Sequence, residues 1–281
     1  MKFQVRSTLQ YETRSAATLI LNIHAFKSPG QVVRDESFTT DPAIQWNELT
    51  TTDGEHRLVC VQVPSEMPVT ISYSAIVETN FRVTDHRFNK ELEVSQLPAD
   101  YFQYLYPSRY CQADKLSRLA NNKFGKIDNP FQQVLAVTDW IYANVEYLSG
   151  STNSQTSAFD TVTEQAGVCR DFAHLAIALC RALNIPARYF SGYAYHLQPP
   201  DFHGCFEAFL NGSWIIFDAT KLAPLNGLVR IATGRDASDT AIATIFGDVI
   251  CNAINVSAEC LEANFEPRFY NGSSMLAISY L

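Results

Sequence analysis

Three side chains in this sequence could carry covalent chemistry together: Cys169, His203 and Asp218. A thiolate attacks carbonyl carbon, an imidazole moves protons near neutral pH, and a carboxylate fixes the imidazole's tautomer and stabilises its charged form. Each residue also has an ordinary structural role. A cysteine at a helix start packs, a strand histidine sits half-exposed, and an aspartate can cap a strand end. The elements that carry them decide between these roles.

Cys169 opens a helix expected to run to Leu183, with Asn184-Ile185-Pro186 as its stop. Phe172, Leu175, Ala176, Leu179, Cys180 and Leu183 recur at i, i+3, i+4, i+7 spacing, and Ala173, Ile177, Ala178 and Ala182 make most of the remaining surface apolar. A helix apolar nearly all round is buried. Cys169 continues the stripe at the N-terminal tip, behind Gly167. Unpaired N–H groups and the helix dipole place partial positive charge there, which favours thiolate over thiol and can stabilise a developing oxyanion.

His203 and Asp218 are tied to each other by a turn. Asn211-Gly212 is a strong signal for a two-residue type I′ hairpin. With Leu210 and Ser213 flanking that turn, opposed residues have numbers summing to 423, so Cys205 faces Asp218 and His203 faces Thr220. Side chains two apart on a strand share a face. His203 and Asp218 are therefore diagonal neighbours on one face, their backbones roughly 7–8 Å apart, a gap that an imidazole and a carboxylate can bridge.

The elements around these residues change character along the chain. Phe3, Val5, Leu9 and Tyr11 keep one parity, and Val69, Ile71, Tyr73, Ala75 and Val77 alternate with polar residues, the pattern of half-buried strands. Segment 57–63 is a further β-branched run behind the turn signal Asp53-Gly54. Residues 1–97 thus read as a β-sandwich-like domain, expected to hold a core of its own and no catalytic side chain. Beyond Leu97-Pro98 the periodicity becomes partly helical. Asp128-Asn129-Pro130 starts a helix, 149–157 is a polar loop, and strands are expected at 187–195, 203–210 and 213–218. Residues 98–281 form the expected second domain, and the fold class is α+β.

The run GVCRDFAHLAIALCRALNIPARYFSGYAY (167–195) followed by FHGCFEAFLNGSWIIFDAT (202–220) resembles the bacterial transglutaminase-like, papain-like cysteine protease superfamily. That family places its nucleophile in a G-x-C-R-D-F-A-H helix start, its histidine in an H-A-W-x-E strand and its aspartate in a D-P-T strand end. The matching positions are Cys169, His203 and Asp218. The resemblance is close from about 158 to 240, where Gly234 to Asp239 looks like the family's tail segment. It is looser before that, where the β-rich region resembles the extra domain of bacterial members. The sequence departs from the pattern in two places: Gly204-Cys205 replaces Ala-Trp, leaving no aromatic wall beside the imidazole, and Ala219 replaces the Pro.

The resemblance implies a helix bearing the nucleophile packed on an antiparallel sheet. It also implies acyl transfer from an amide through a thioester, with a peptide or protein amide as partner and no cofactor. Hydrolysis is the expected outcome, because water is always present. A lysine amine as acceptor would make the chain a true transglutaminase, and a scaffold keeping only the fold is the non-catalytic alternative.

The remaining polar residues read as structural. Cys205, opposite Asp218, reads as a buried filler. Arg170, His174 and Arg181 read as a hydrogen-bonded stripe, Asp171 as a cap, Glu207 as the partner of a basic side chain, and Arg235, Asp236 and Asp239 as a loop-ordering cluster. No His/Glu spacing marks a metal site and no glycine-rich loop marks a nucleotide site. The seven cysteines are odd in number, widely spaced and without a CxxC pair, which argues against a disulfide framework. A net charge of −8 argues against a nucleic-acid groove and a polybasic membrane surface. With no apolar run near the roughly twenty residues of a membrane span and no leader pattern, the expected compartment is the cytoplasm.

Overall fold

The computed structural model describes residues 1–51, 56–87, 93–270 and 275–280. The first seven strands are β1 (Lys2–Thr13), β2 (Ala17–Leu21), β3 (Gln31–Asp41), β4 (Trp46–Thr50), β5 (Arg57–Val63), β6 (Met67–Thr79) and β7 (Phe81–Asp85). The alternation legible in the sequence is the burial pattern: Phe3, Val5, Leu9 and Tyr11 of β1 and Val69 to Val77 of β6 point inward at every second position. The turn signal Asp53-Gly54 lies outside the described residues.

Next come α1 (Ala113–Phe124), α2 (Pro130–Asn144), β8 (Glu146–Tyr147), α3 (Ala158–Glu164), β9 (Ala166–Gly167) and α4 (Cys169–Ala182). Asn129 caps α2 as its motif implies, accepting from the N–H groups of Phe131 and Gln132 at 2.9 and 3.2 Å. Residues 171–181 of α4 are buried without exception. Strands β10 (Ala187–Ala194), β11 (Phe202–Leu210), β12 (Ser213–Phe217) and β13 (Leu228–Gly234) form an antiparallel sheet in the order β12-β11-β10-β13. One face of it packs on α4, bringing Phe172, Leu175, Ala176 and Leu179 together with Tyr189, Phe206, Ala208 and Phe217.

The chain then returns to its beginning. Strands β14 (Ala243–Phe246), β15 (Val249–Cys260) and β16 (Leu276–Tyr280) pair with β2, β1 and β7. The two N-terminal sheets therefore have the orders β15-β1-β6-β3 and β14-β2-β5-β4, each completed by a strand from the region read from sequence as part of the second domain. Edge strand β15 is mostly exposed or half-buried, so its side chains carry no clean two-residue period that would have marked it.

The expectation of a separate N-terminal core is also corrected. The cluster of Phe3, Val5, Leu19, Val61, Ile71 and Tyr73 continues into Tyr193, Val229, Ile231 and Ala232 of β10 and β13. Tyr193 seals the join: its hydroxyl donates to the Ile23 carbonyl at 2.7 Å and lies 3.1 Å from Ser7 Oγ. Among the described residues, no helix is long and apolar enough to cross a membrane.

Candidate active site

The β11–β12 hairpin has the register its turn requires. Asn211 and Gly212 both have positive φ, 49° and 79°, as a type I′ turn demands, and the pairs run from Leu210↔Ser213 to Phe206↔Phe217. Continuing one face past the ladder brings His203 and Asp218 together. His203 Nε2 lies 2.9 Å from Asp218 Oδ2, and both residues are buried, at 2% and 7% exposure. An ionised carboxylate only accepts, so Nε2 carries the proton of this bond. Nδ1 is buried and, among the described residues, has no hydrogen-bond partner, which leaves it free to exchange a proton with a nucleophile.

Asp218 is held from all sides. Oδ1 accepts from the Thr220 N–H at 2.8 Å and the Thr220 hydroxyl at 2.7 Å, and Oδ2 also accepts from the Ala223 N–H at 3.3 Å. The grip comes from Thr220 and the turn after it, so Ala219 serves in place of proline. Burial pushes the Asp218 carboxyl upward, but His203 and Thr220 reverse that and leave it below its ordinary value. Burial likewise opposes a charged His203, yet the Asp218 carboxylate and its hydrogen bond, with the Cys205 and Cys169 sulfurs beside the ring, overcome it and hold its pKa well above the usual imidazole value.

Cys169 is half-buried at the first position of α4. The strand of His203 passes directly against this turn: a Cβ built on Gly204 would stand 3.4 Å from the Arg170 Cα. Asp171 caps the helix as its position implied, Oδ2 accepting from the Val168 N–H at 2.9 Å and from Thr152 Oγ1 at 2.8 Å. Arg170 donates to Asp171, Thr152 and the Asn153 carbonyl, pinning the 149–157 loop beside the tip.

The supporting residues fall where their chemistry places them. His174 is sandwiched between the rings of Tyr110 and Tyr189, its Nε2 accepting from the Ala237 N–H. Arg181 donates to the carbonyls of Tyr106, Ala187 and Arg235. These two and Arg170 act at separate points and form no common ligand set. Glu207 pairs with Arg188 at 2.6 Å. Asp236 accepts from Tyr110 and Ser238, and Arg235 pairs with Asp239 at 2.9 Å, ordering the 235–239 loop.

Cys205 is fully buried among Phe190, Ala194 and Ile216, with Tyr280 packed against that cluster, so aromatic side chains do border the place of the family's Trp. Burial pushes its thiol up to about 12, so it stays protonated at neutral pH. Among the described residues, His203, Cys205 and Asp218 form a grouping compact enough for a metal ion, with ligand atoms within 4.8 Å of one another. No His/Glu spacing pointed to it. Its His203–Asp218 edge is closed by the 2.9 Å hydrogen bond, an imidazole–carboxylate pair with a buried cysteine beside it.

Tyr147 escaped the sequence reading. It lies on β8, pairs in parallel with Gly167 on β9, and packs its ring 5.8 Å from that of Phe172. Its hydroxyl faces the Cys169 backbone N–H and interacts electrostatically with the Cys169 thiol and His203. A two-residue strand has no period to read, and only the fold brings it to the helix tip.

The fold is of the cysteine-dependent protease and acyltransferase type. Residues 117–219 match the transglutaminase-like superfamily, and residues 1–100 match the bacterial transglutaminase N-terminal domain. The chain is 52% identical to a Cytophaga hutchinsonii protein of known crystal structure, described as a candidate cysteine protease, with a TM-score of 0.99 over 100% of this chain and 98% of that one. This chain belongs to the transglutaminase-like superfamily. An uncharacterised Mycobacterium leprae protein is 25% identical over 183 residues, 62% of this chain and 66% of that protein. An uncharacterised Mycobacterium tuberculosis protein is 45% identical over 60 residues, 21% of this chain and 19% of that protein.

Proposed function

We propose that this protein cleaves an amide bond of a peptide or protein by cysteine-dependent acyl transfer, with water as the final acceptor. The observation that carries the reading is the buried His203–Asp218 bond of 2.9 Å on the strand that passes the Cys169 helix tip. The 52% identity to a candidate cysteine protease supports the same reading.

In this mechanism His203 Nδ1 takes the Cys169 proton and the sulfur attacks the amide carbonyl carbon. The tetrahedral intermediate collapses as the C–N bond breaks, and the amine leaves with the proton held on His203. Water, deprotonated by the same ring, then releases the acid from the thioester. Asp218 holds the imidazole in the required tautomer throughout.

The test is acyl-enzyme trapping on a peptide library, read by intact mass, with Cys169→Ala as control and a labelled primary amine in a parallel arm. The expected result is a thioester adduct on the wild type that water resolves and that Cys169→Ala never forms. Transfer to the amine in preference to water would make the chain a transglutaminase. An adduct that persists in Cys169→Ala would sink the reading.

A further inference from the structure

A thiol acyl transfer passes through a tetrahedral intermediate whose oxygen carries a full negative charge, and that oxygen needs donors. The helix tip supplies one. The N–H groups of Asp171 and Phe172 are spent on the Val168 carbonyl at 2.9 and 3.1 Å. The N–H of Cys169 is spent on no backbone acceptor; it meets the Tyr147 hydroxyl.

Three side chains beside Cys169 could supply a second donor. Arg170 has its guanidinium committed to Asp171, Thr152 and the Asn153 carbonyl. Tyr189 is buried, with its hydroxyl against Gly204 inside the sheet–helix interface. Tyr147 differs from both. The residue is 42% exposed, its backbone is fixed by the Glu146↔Ala166 and Tyr147↔Gly167 pairs, and Leu148 N–H donates to the Gly167 carbonyl at 3.0 Å. Strand pairing thus anchors the residue two positions from the nucleophile's backbone, while its phenol reaches the tip from the solvent side.

The geometry points to Tyr147 as the second oxyanion donor, its hydroxyl standing in the free enzyme beside the place the substrate's carbonyl oxygen will take. This rests on the acyl-transfer reading above. In the free protein the phenolic oxygen faces the Cys169 N–H. When sulfur attacks, the S–C bond forms and the carbonyl π pair moves onto oxygen. That oxygen takes over the Cys169 N–H, and the Tyr147 O–H turns to donate to it without giving up its proton. Collapse restores the carbonyl, expels the amine with the His203 proton, and returns the phenol to the N–H. Burial and the neighbouring Cys169 thiol raise the phenol's pKa, so it keeps the proton it must donate.

The experiment pairs two reagents on wild type and Tyr147→Phe, whose folding is checked by thermal unfolding. Iodoacetamide alkylates sulfur without forming an oxyanion. Acetyl-dipeptide aldehydes, labelled with 13C at the aldehyde carbon, form a hemithioacetal whose oxygen occupies the oxyanion position. Tyr147→Phe is expected to alkylate at the wild-type rate, to bind the aldehydes at least tenfold more weakly, and to lower kcat on a cleaved peptide roughly 10²–10³-fold, the loss typical of one oxyanion donor. Equal aldehyde affinity in both proteins, with the wild type still forming the hemithioacetal, overturns the Tyr147 assignment and leaves the acyl-transfer reading standing. Parallel loss of alkylation also overturns it, because Tyr147 would then position the thiol. If the wild type forms neither hemithioacetal nor acyl-enzyme, the acyl-transfer reading falls and this inference with it.

Discussion

The hydroxyl of Tyr189 occupies the space that a side chain on residue 204 would need, so the strand bearing His203 closes on the Cys169 helix only because residue 204 is glycine. The superfamily pattern has alanine there. In this chain a Cβ would collide with Tyr189 Oη, stand 3.0 Å from its Cζ and press to 3.4 Å of the Arg170 Cα. The glycine and the tyrosine are one packing solution.

That pairing predicts a double-mutant result. Gly204→Ala is expected to destabilise by about 1–3 kcal/mol, the usual cost of overpacking, and to slow Cys169 alkylation by pushing His203 away from the tip. Tyr189→Phe removes the worst contact but leaves the ring carbon, so the double variant should recover only part of both losses. Thermal unfolding and iodoacetamide kinetics on all four proteins measure this coupling. Additive effects would show that the two positions do not compete for space.

The thiols should sort themselves by environment. Cys205 and Cys111 are buried, each with its thiol pushed up to about 12, and burial raises Cys180 as well. Cys251 is exposed and Cys60 and Cys260 are half-buried, but Cys169 is the solvent-reached thiol that borders His203, so near neutral pH the first iodoacetamide adduct should map to it. Cys169→Ala should abolish turnover and His203→Ala should cost nearly as much, since nucleophile and base act as one unit. Cys205→Ser should keep most activity. Peptide mapping that puts the first adduct on Cys205, or loss of activity in Cys205→Ser alone, would make Cys205 the nucleophile in place of Cys169.

Much of the site was legible because its parts obey local rules. The Asn211-Gly212 turn fixes parity, so His203 and Asp218 could be paired from numbering alone, and the apolar α4 stripe put Cys169 at a buried tip. Three features were not legible. Tyr147 reaches the tip through a two-residue parallel pair whose partner is twenty residues away in sequence. Thr220 grips Asp218 through side chain and backbone together, which only coordinates reveal. β15 pairs with β1 across nearly the whole chain, and no local pattern encodes a contact of that separation.

The His203–Asp218 pair also sets a pH dependence. The His203 pKa is raised, so the stability it contributes is full below the unfolded value of about 6.5 and is lost as pH rises through the higher folded value. The Asp218 pKa is lowered, so its contribution is present above the unfolded value of about 3.9 and is lost as pH falls through the folded one. Asp218→Asn should bring the His203 titration down, as followed by ring 15N shifts, and slow turnover about 10³–10⁴-fold. Its stability deficit should be largest between those limits and shrink at alkaline pH. An unchanged His203 titration in the variant would remove Asp218 from the mechanism.

The N-terminal region should prove necessary for the site although it lends no side chain to it. Gly192 is the cross-strand partner of His203, and the next residue on that strand, Tyr193, is held by Ser7 and the Ile23 carbonyl. Removing residues 1–97 would bare Tyr193, Val229 and Ile231, which now belong to the cluster of Phe3, Val5 and Leu19, and would strip β14, β15 and β16 of their partners. Losing contacts of that kind on one flank of the sheet leaves β10 free to shift, and His203 shifts with it. The truncated chain is therefore expected to aggregate or to unfold without a cooperative transition, and Cys169 alkylation is expected to slow to the rate of an ordinary thiol. Calorimetry and alkylation kinetics on the truncated protein are the measurements. A soluble, cooperatively unfolding 98–281 fragment with wild-type alkylation would show that the shared core is dispensable and that the sheet holds His203 by itself.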